Sequence, residues 1–176
     1  MEAYNDVMRD YIERGVFKEL SQEEMDWLKD GLLASTACFK IILNSVPITD
    51  LSAMIGDGAM FDRWQGYPEE RTEILGHIID HEITGVLWVA GDVHYGMVGT
   101  VDPPGELAEH AWEVFVGPGG SPIGFGAAYT GDMTQYPVIV GTWSWTRFDC
   151  DPSLRTIRVR HIGDDGSTLS DITLQL

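Results

Sequence analysis

Asp92 and His94 are the residues whose types and spacing first suggest chemistry. They follow Gly85-Val86-Leu87-Trp88-Val89-Ala90-Gly91, an apolar run rich in β-branched and aromatic side chains. That pattern reads as a strand buried on both faces and stopped at Gly91. In open α/β sheets, ligands gather just outside the carboxyl ends of the strands. Side chains two apart on an extended segment point the same way, and a carboxylate beside an imidazole suits a metal ion. The ordinary alternative is a turn that carries a solvated histidine.

The elements that must position this pair follow from patterning. Tyr4 to Arg14 reads as a short polar helix closed by Gly15. Ser21-x-x-Glu24 is a capping box that starts a helix running from about Gln22 to Ser35. Trp27, Leu28, Gly31, Leu32 and Ser35 recur on it at helical spacing, with Trp27 expected as a core anchor. Phe39 to Leu43 reads as a buried strand ending at Asn44-Ser45-Val46-Pro47, and Thr49 to Gly66 as an ordered loop over the strand ends. Pro68 opens a helix that carries Ile74, Leu75, Ile78 and Ile79 inward and ends near Glu82. Strand, loop, helix and strand form one crossover unit, whose strands are expected to be parallel.

That second helix also holds His77 and His81, four apart, the spacing of helical zinc pairs. It lacks a third ligand and the intervening glutamate of zinc proteases, so surface histidines are expected. After Gly96 come strands at Met97–Val101, Trp112–Val116, Val138–Trp145, Arg155–Ile162 and Ser170–Leu174. The last two alternate in polarity across Gly163-Asp164-Asp165-Gly166, as an antiparallel hairpin should. Gly117-Pro118-Gly119-Gly120-Ser121 reads equally as an anion-cradling nest or a tight turn.

Composition narrows the class. At 176 residues and 44% hydrophobic content the chain suits one domain. Its net charge of −17, from 28 acidic and 11 basic residues, argues against nucleic acid as a partner. Cys38 and Cys150 belong to no Cys-x-x-Cys motif. No basic-then-apolar leader and no membrane-length apolar run occurs, so the chain as it stands is expected in the cytoplasm, or as a piece of something longer.

Several segments together carry a resemblance. Trp27-Leu28-Lys29-Asp30-Gly31-Leu32, Phe39-Lys40-Ile41-Ile42, Val46-Pro47-Ile48, Trp64-x-Gly66-Tyr67-x-x-Glu70-Arg71, Gly91-Asp92-Val93-His94 and Gly117-Pro118-Gly119-Gly120 stand in a characteristic order and spacing. The set resembles the carboxyl-terminal half of alkaline phosphatase D, the PhoD-like branch of the calcineurin-like metallophosphoesterases. The resemblance implies an α/β fold, half of a four-layer αββα sandwich, with a mixed sheet and a C-terminal antiparallel hairpin. It implies hydrolysis of phosphate mono- and diesters with iron and calcium, zinc or manganese being alternatives. Asp92 and His94 match the family's last metal ligands and are the expected catalytic pair. Asp92 suits a harder ion such as calcium, and His94 an iron-type position. Asp62, Trp64 and Tyr67 match a loop motif that would shape the substrate pocket, with packing as the alternative.

The family's other metal ligands lie in its amino-terminal half, and their motifs do not occur before Ser21. Asp80-His81-Glu82 copies part of a family motif in the wrong place and order. The chain, taken as one domain over 1–176, is therefore expected to hold half of a binuclear site. It would be completed by an amino-terminal half or a second copy of itself. The competing expectation is a non-catalytic binding or assembly domain that keeps the fold and only part of the site.

Overall fold

The computed structural model describes residues 19–52, 62–124 and 134–176; the expected helix at Tyr4–Arg14 and the middle of the Thr49–Gly66 loop lie outside the described residues. Ser21 caps α1 (Gln22–Ala34) in the expected box, its side chain accepting from Glu24 N–H while the Glu24 carboxylate accepts from Ser21 N–H at 2.9 Å. β1 (Lys40–Asn44) follows, then a 3₁₀ turn (Trp64–Gly66) and α2 (Pro68–Asp80), which starts on proline as its sequence requires. β2 (Val86–Ala90), β3 (Gly96–Thr100), β4 (Trp112–Val116) and β5 (Val138–Val140) complete one sheet. β6 (Ser144–Asp151), β7 (Thr156–Gly163) and β8 (Thr168–Gln175) form another.

The first sheet has the order β1-β2-β4-β3-β5. β1, β2 and β4 run parallel, and β3 lies antiparallel between β4 and β5. The crossover from β1 to β2 thus joins parallel neighbours, as expected. Asn44, Gly91 and Gly117 all leave the sheet at one end, where β3 begins at Gly96.

Two apolar layers flank this sheet. Trp88 and Val86 point toward Met25 and Leu32 of α1 and Ile74, Leu75 and Ile78 of α2. Leu87, Val89, Val98 and Val114 point the other way, onto Ile157, Val159 and Leu174 of the second sheet. The period-2 alternation of an otherwise continuous apolar strand is what lets β2 serve both layers. Helices, sheet and sheet are three layers of a partial sandwich.

Four expectations need correction. The strand expected to be buried at Phe39–Leu43 is an edge strand of the described sheet, so Ile41 is 43% and Leu43 81% exposed. Ile79 lies at the margin of the apolar stripe of α2 and is 43% exposed, while Ile74, Leu75 and Ile78 turn inward as expected. Val138–Trp145 is not one strand: the chain leaves the first sheet after Val140, crosses at Gly141-Thr142-Trp143, and opens the second sheet at Ser144. The expected hairpin is accordingly the last two strands of a three-stranded meander. Trp27 is no core anchor but 76% exposed, because α1 turns Met25 and Leu32 to the core and Trp27 toward the groove beside edge strand β1.

A polar knot fastens the crossing after β1. The buried Glu113 carboxylate on β4 accepts from Ile48 N–H (2.8 Å), Thr49 N–H (3.1 Å) and Thr49 Oγ1 (2.6 Å). The Thr49 hydroxyl also meets the Tyr136 hydroxyl. Burial pushes the Glu113 carboxyl above its ordinary range, against the pull of those donors. Arg71 of α2 donates its Nε–H to Ile48 O (2.6 Å) and pairs with Asp102, whose other oxygen accepts from Ala108 N–H (3.0 Å). Between the sheets, His161 of β7 donates Nε2–H to Phe115 O (2.9 Å) and accepts at Nδ1 from Ser170 Oγ (2.7 Å). That arrangement fixes a neutral ring, and burial lowers its pKa.

Candidate functional site

At the carboxyl end of β2 the chain makes an unusual turn. Asp92 and His94 both sit in the left-handed region, at φ 66° and φ 62°, which non-glycine residues avoid at a cost of about 1–3 kcal/mol each. Val93 N–H closes back on Gly91 O (2.8 Å), and His94 O accepts from Gly124 N–H (2.9 Å). A Cβ at Gly124 would lie 2.2 Å from Val93 O, so only glycine allows the loop after β4 to clamp the turn this closely. The outcome is that both side chains are exposed at the sheet end while Tyr95, next in sequence, is buried. Burial raises the Tyr95 hydroxyl to about 12, and the nearby Arg63 acts in the opposite direction.

Arg63 is the unexpected member. Its guanidinium pairs with Oδ2 of Asp92 through NH2, while NH1 is buried with no hydrogen-bond partner. The segment that presents it is firmly seated. Trp64 is buried and meets Trp88 edge-on at 6.5 Å between ring centres, and Gln65 Oε1 accepts from Leu51 N–H (3.2 Å). At the end of β1, Asn44 Nδ2 is another buried donor without a partner. Trp64 Nε1, Gln65 Nε2, Trp88 Nε1 and, on the second sheet, Arg160 Nε are buried without a partner as well, so these donors are not confined to the turn.

The structure therefore brings Asp92 and His94 to one short turn at the expected sheet end. Asp62, next to Arg63 in the chain, is exposed, whereas Trp64 and Tyr67 are buried. Burial, followed by the charges of Glu19, Glu70 and Asp62, holds the Tyr67 hydroxyl above its usual pKa. The Gly117–Ser121 stretch is a turn: Ser121 N–H bonds Pro118 O (2.8 Å) and Gly119 N–H bonds Ser144 O (3.1 Å), which takes those two amides from any anion. His77 and His81 stack at 4.3 Å with one nitrogen of each spent on the Lys29 and His77 carbonyls, respectively.

Sequence reasoning passed over Arg63 and Asn44. Arg63 stands between Asp62 and Trp64, and a cation flanked by those two candidate residues was the available signal.

A metal ion fits this turn in kind but not in number. A carboxylate oxygen and an imidazole nitrogen, both exposed, are suitable donors. Among the described residues, however, no group of three or more His, Cys, Asp or Glu side chains converges on one point. Asp92 and His94 would hold one side of an ion whose remaining ligands come from elsewhere.

Comparisons with known proteins bear on the family and the fold. A sequence profile described as PhoD-like phosphatase matches residues 18–140. Comparison with curated proteins finds no match. Among solved structures, one titled "Structure of PhoD" superposes with a TM-score of 0.63 at 18% identity, over 89% of this chain. Another, described as GAP50, the anchor in the inner membrane complex of Plasmodium, gives a TM-score of 0.53 at 14% identity over 88% of this chain. The chain spans 32% of the PhoD structure and 42% of the GAP50 structure, and at these identities the likeness is one of fold. With the profile covering most of its length, the chain belongs to the PhoD-like phosphatase family.

Proposed function

We propose that this chain supplies one side of the site of a metal-dependent phosphoesterase, which hydrolyses small phosphate mono- or diesters. The observation that carries the reading is the strained turn, which exposes Asp92 and His94 at the parallel-strand ends of a chain from a phosphatase family. Asp92 and His94 hold the ion, with iron and calcium as the expected metals. A bound ion supplies Lewis acidity and an activated water. Arg63 contributes a fixed positive charge where phosphoryl oxygens would lie. Asp62 forms the exposed rim, and Trp64 and Tyr67 brace the wall from beneath.

The test uses the longest protein that carries this sequence, assayed for hydrolysis of p-nitrophenyl phosphate and its bis ester with added metals. Asp92→Ala together with His94→Ala should reduce turnover by at least about a hundredfold, comparable to losing a main electrostatic stabiliser. Undiminished turnover in that variant refutes the assignment.

A second reading, a non-catalytic assembly domain, draws support from edge strand β1. Its Leu43 is 81% exposed and Ile41 43% exposed, beside a groove formed with Trp27 and Leu28. Among the described residues no strand pairs with this parallel edge, and such an edge with apolar side chains invites another strand. The matched structure described as an anchor shows that this kind of fold also occurs under that description. The occupant would be an amino-terminal half or a second copy. Light scattering separates the readings: a stable monomer insensitive to Leu43→Lys argues against assembly through β1.

A further inference from the structure

The seam between the two sheets joins Leu87, Val89, Val98 and Val114 to Ile157, Val159 and Leu174, and one ionisable side chain enters it. His161 follows Ile157 and Val159 on the same face of β7 and is fully buried. Its ring rests on the first residue of β3, since a Cβ at Gly96 would stand 2.5 Å from His161 Cδ2. The Phe115 carbonyl of β4 can only accept, so Nε2 carries a proton. Nδ1, facing Ser170 Oγ of β8 at 2.7 Å, is the nitrogen left to titrate. The Nε2–H bond to Phe115 O therefore clasps one sheet to the other, and beside it Thr146 of β6 donates its hydroxyl to Val116 O (2.8 Å). We propose that His161 is an acid-sensitive clasp: protonation of Nδ1 releases the second sheet from β3 and β4 as a unit and uncovers the apolar face of the first.

Three features support this. First, no counter-charge meets the ring among the described residues. Gly96 of β3, the Phe115 carbonyl of β4, Thr146 of β6 and Ser170 of β8 surround it, and none of them is charged. The Arg158–Asp171 and Arg160–Asp149 pairs stand on the opposite face of the second sheet, and the titratable Cys150 pairs with Ile157, four residues along β7. Second, Ser170 can follow the proton by turning its hydroxyl from donor to acceptor, but it brings no charge. A second proton on the ring thus leaves an unpaired cation in an apolar layer. Third, β6, β7 and β8 pair with one another and with no strand of the first sheet, so letting go breaks side-chain contacts and a few clasps rather than a ladder.

The pH dependence has a definite sign. Burial lowers the pKa of the His161 ring and the Phe115 carbonyl acts against that, whereas the opened seam leaves an ordinary imidazole near 6.5. The closed seam is therefore fully favoured above pH 6.5, and its advantage is lost as pH falls through the folded pKa.

The experiment measures hydrogen exchange by mass spectrometry on the whole chain from about pH 7.5 to about pH 5, corrected for intrinsic rates. Wild type is compared with His161→Gln, whose amide keeps a donor for Phe115 O. One proton taken up per opening should raise the opening constant of β6–β8 in wild type by up to about tenfold per pH unit below the ordinary imidazole value. The variant should show no such rise, and β2 and α2 should keep their protection in both. Equal losses in the two proteins, or a loss spread evenly over all elements, overturn the clasp. If His161→Gln does not fold, an NMR titration of the wild-type His161 ring decides. A ring that protonates while β6–β8 stay protected, or stays neutral while they open, overturns it as well.

Discussion

Two arginine–aspartate pairs tie the segments flanking the five-stranded sheet to residues that follow its strands, and they are finished to different degrees. Arg71–Asp102 is buried and complete: Nε of Arg71 donates to Ile48 O, and the second oxygen of Asp102 accepts from Ala108 N–H. Arg63–Asp92 is open on its carboxylate side, at 37% exposure against 6% for Asp102, has an unused NH1, and rests on a left-handed aspartate. A fully satisfied buried network holds one structure, whereas a partly satisfied pair is poised to exchange partners. The first pair ties α2 to the Ile48 crossing that the Glu113 knot also grips. The second sits at the turn after β2, in the candidate site. Completeness of hydrogen bonding, more than charge type, distinguishes the two pairs.

Breaking the comparison begins with the complete pair. Arg71→Met should cost about 3–5 kcal/mol by urea denaturation, because it strands a buried carboxylate. Arg63→Met should stay within about 1 kcal/mol of wild type in the same measurement, since it strands an accessible one. Equal losses would erase the distinction.

A subtler effect should come from Glu113, whose carboxyl is raised by burial. The folded state then holds its proton to higher pH than the unfolded chain does. Its contribution is fully present below about pH 4.5, the usual glutamate value, and is lost as pH rises through the folded pKa. Relative to Glu113→Gln, wild type should therefore lose stability as pH climbs from 4.5, seen as a falling difference in thermal midpoint.

The smallest effect should belong to the outer face of the second sheet. There Arg158 meets Asp171 and Arg160 meets Asp149 in a solvated ladder across β6, β7 and β8. Arg158→Ala should leave the urea midpoint at its wild-type value, because exposed pairs are screened by water and salt. A large shift would show that geometry outweighs exposure, and would blur the contrast drawn above.

Much of the scaffold was legible in local patterns. The capping box at Ser21, Pro68 at the start of α2, the β1–β2 crossover and the stop at Gly91 each depend on a few neighbouring residues. Non-local outcomes were harder to read. Val138 to Trp145 carries a strand-like pattern throughout, and only the tertiary arrangement divides it between two sheets at Gly141. Trp27 lies on an apolar stripe, but a stripe does not reveal whether a partner covers it. The strand-end placement of Asp92 and His94 was readable; their left-handed backbone was not, since it depends on the clamp from Gly124. Arg63 and Asp92 lie far apart in sequence and share no motif, so their pairing needed coordinates.

The crossing at Gly141–Trp143 has a consequence for how the protein is made. The first sheet is fully specified once Val140 has been synthesised, yet the strands that cover Leu87, Val89, Val98 and Val114 come afterwards. At typical synthesis rates that delay is on the order of 2–7 seconds, during which an apolar sheet face emerges without its lid. Nascent chains should therefore be most dependent on chaperones between the synthesis of Val140 and that of Leu174, when the described strands of the first sheet exist and their cover does not.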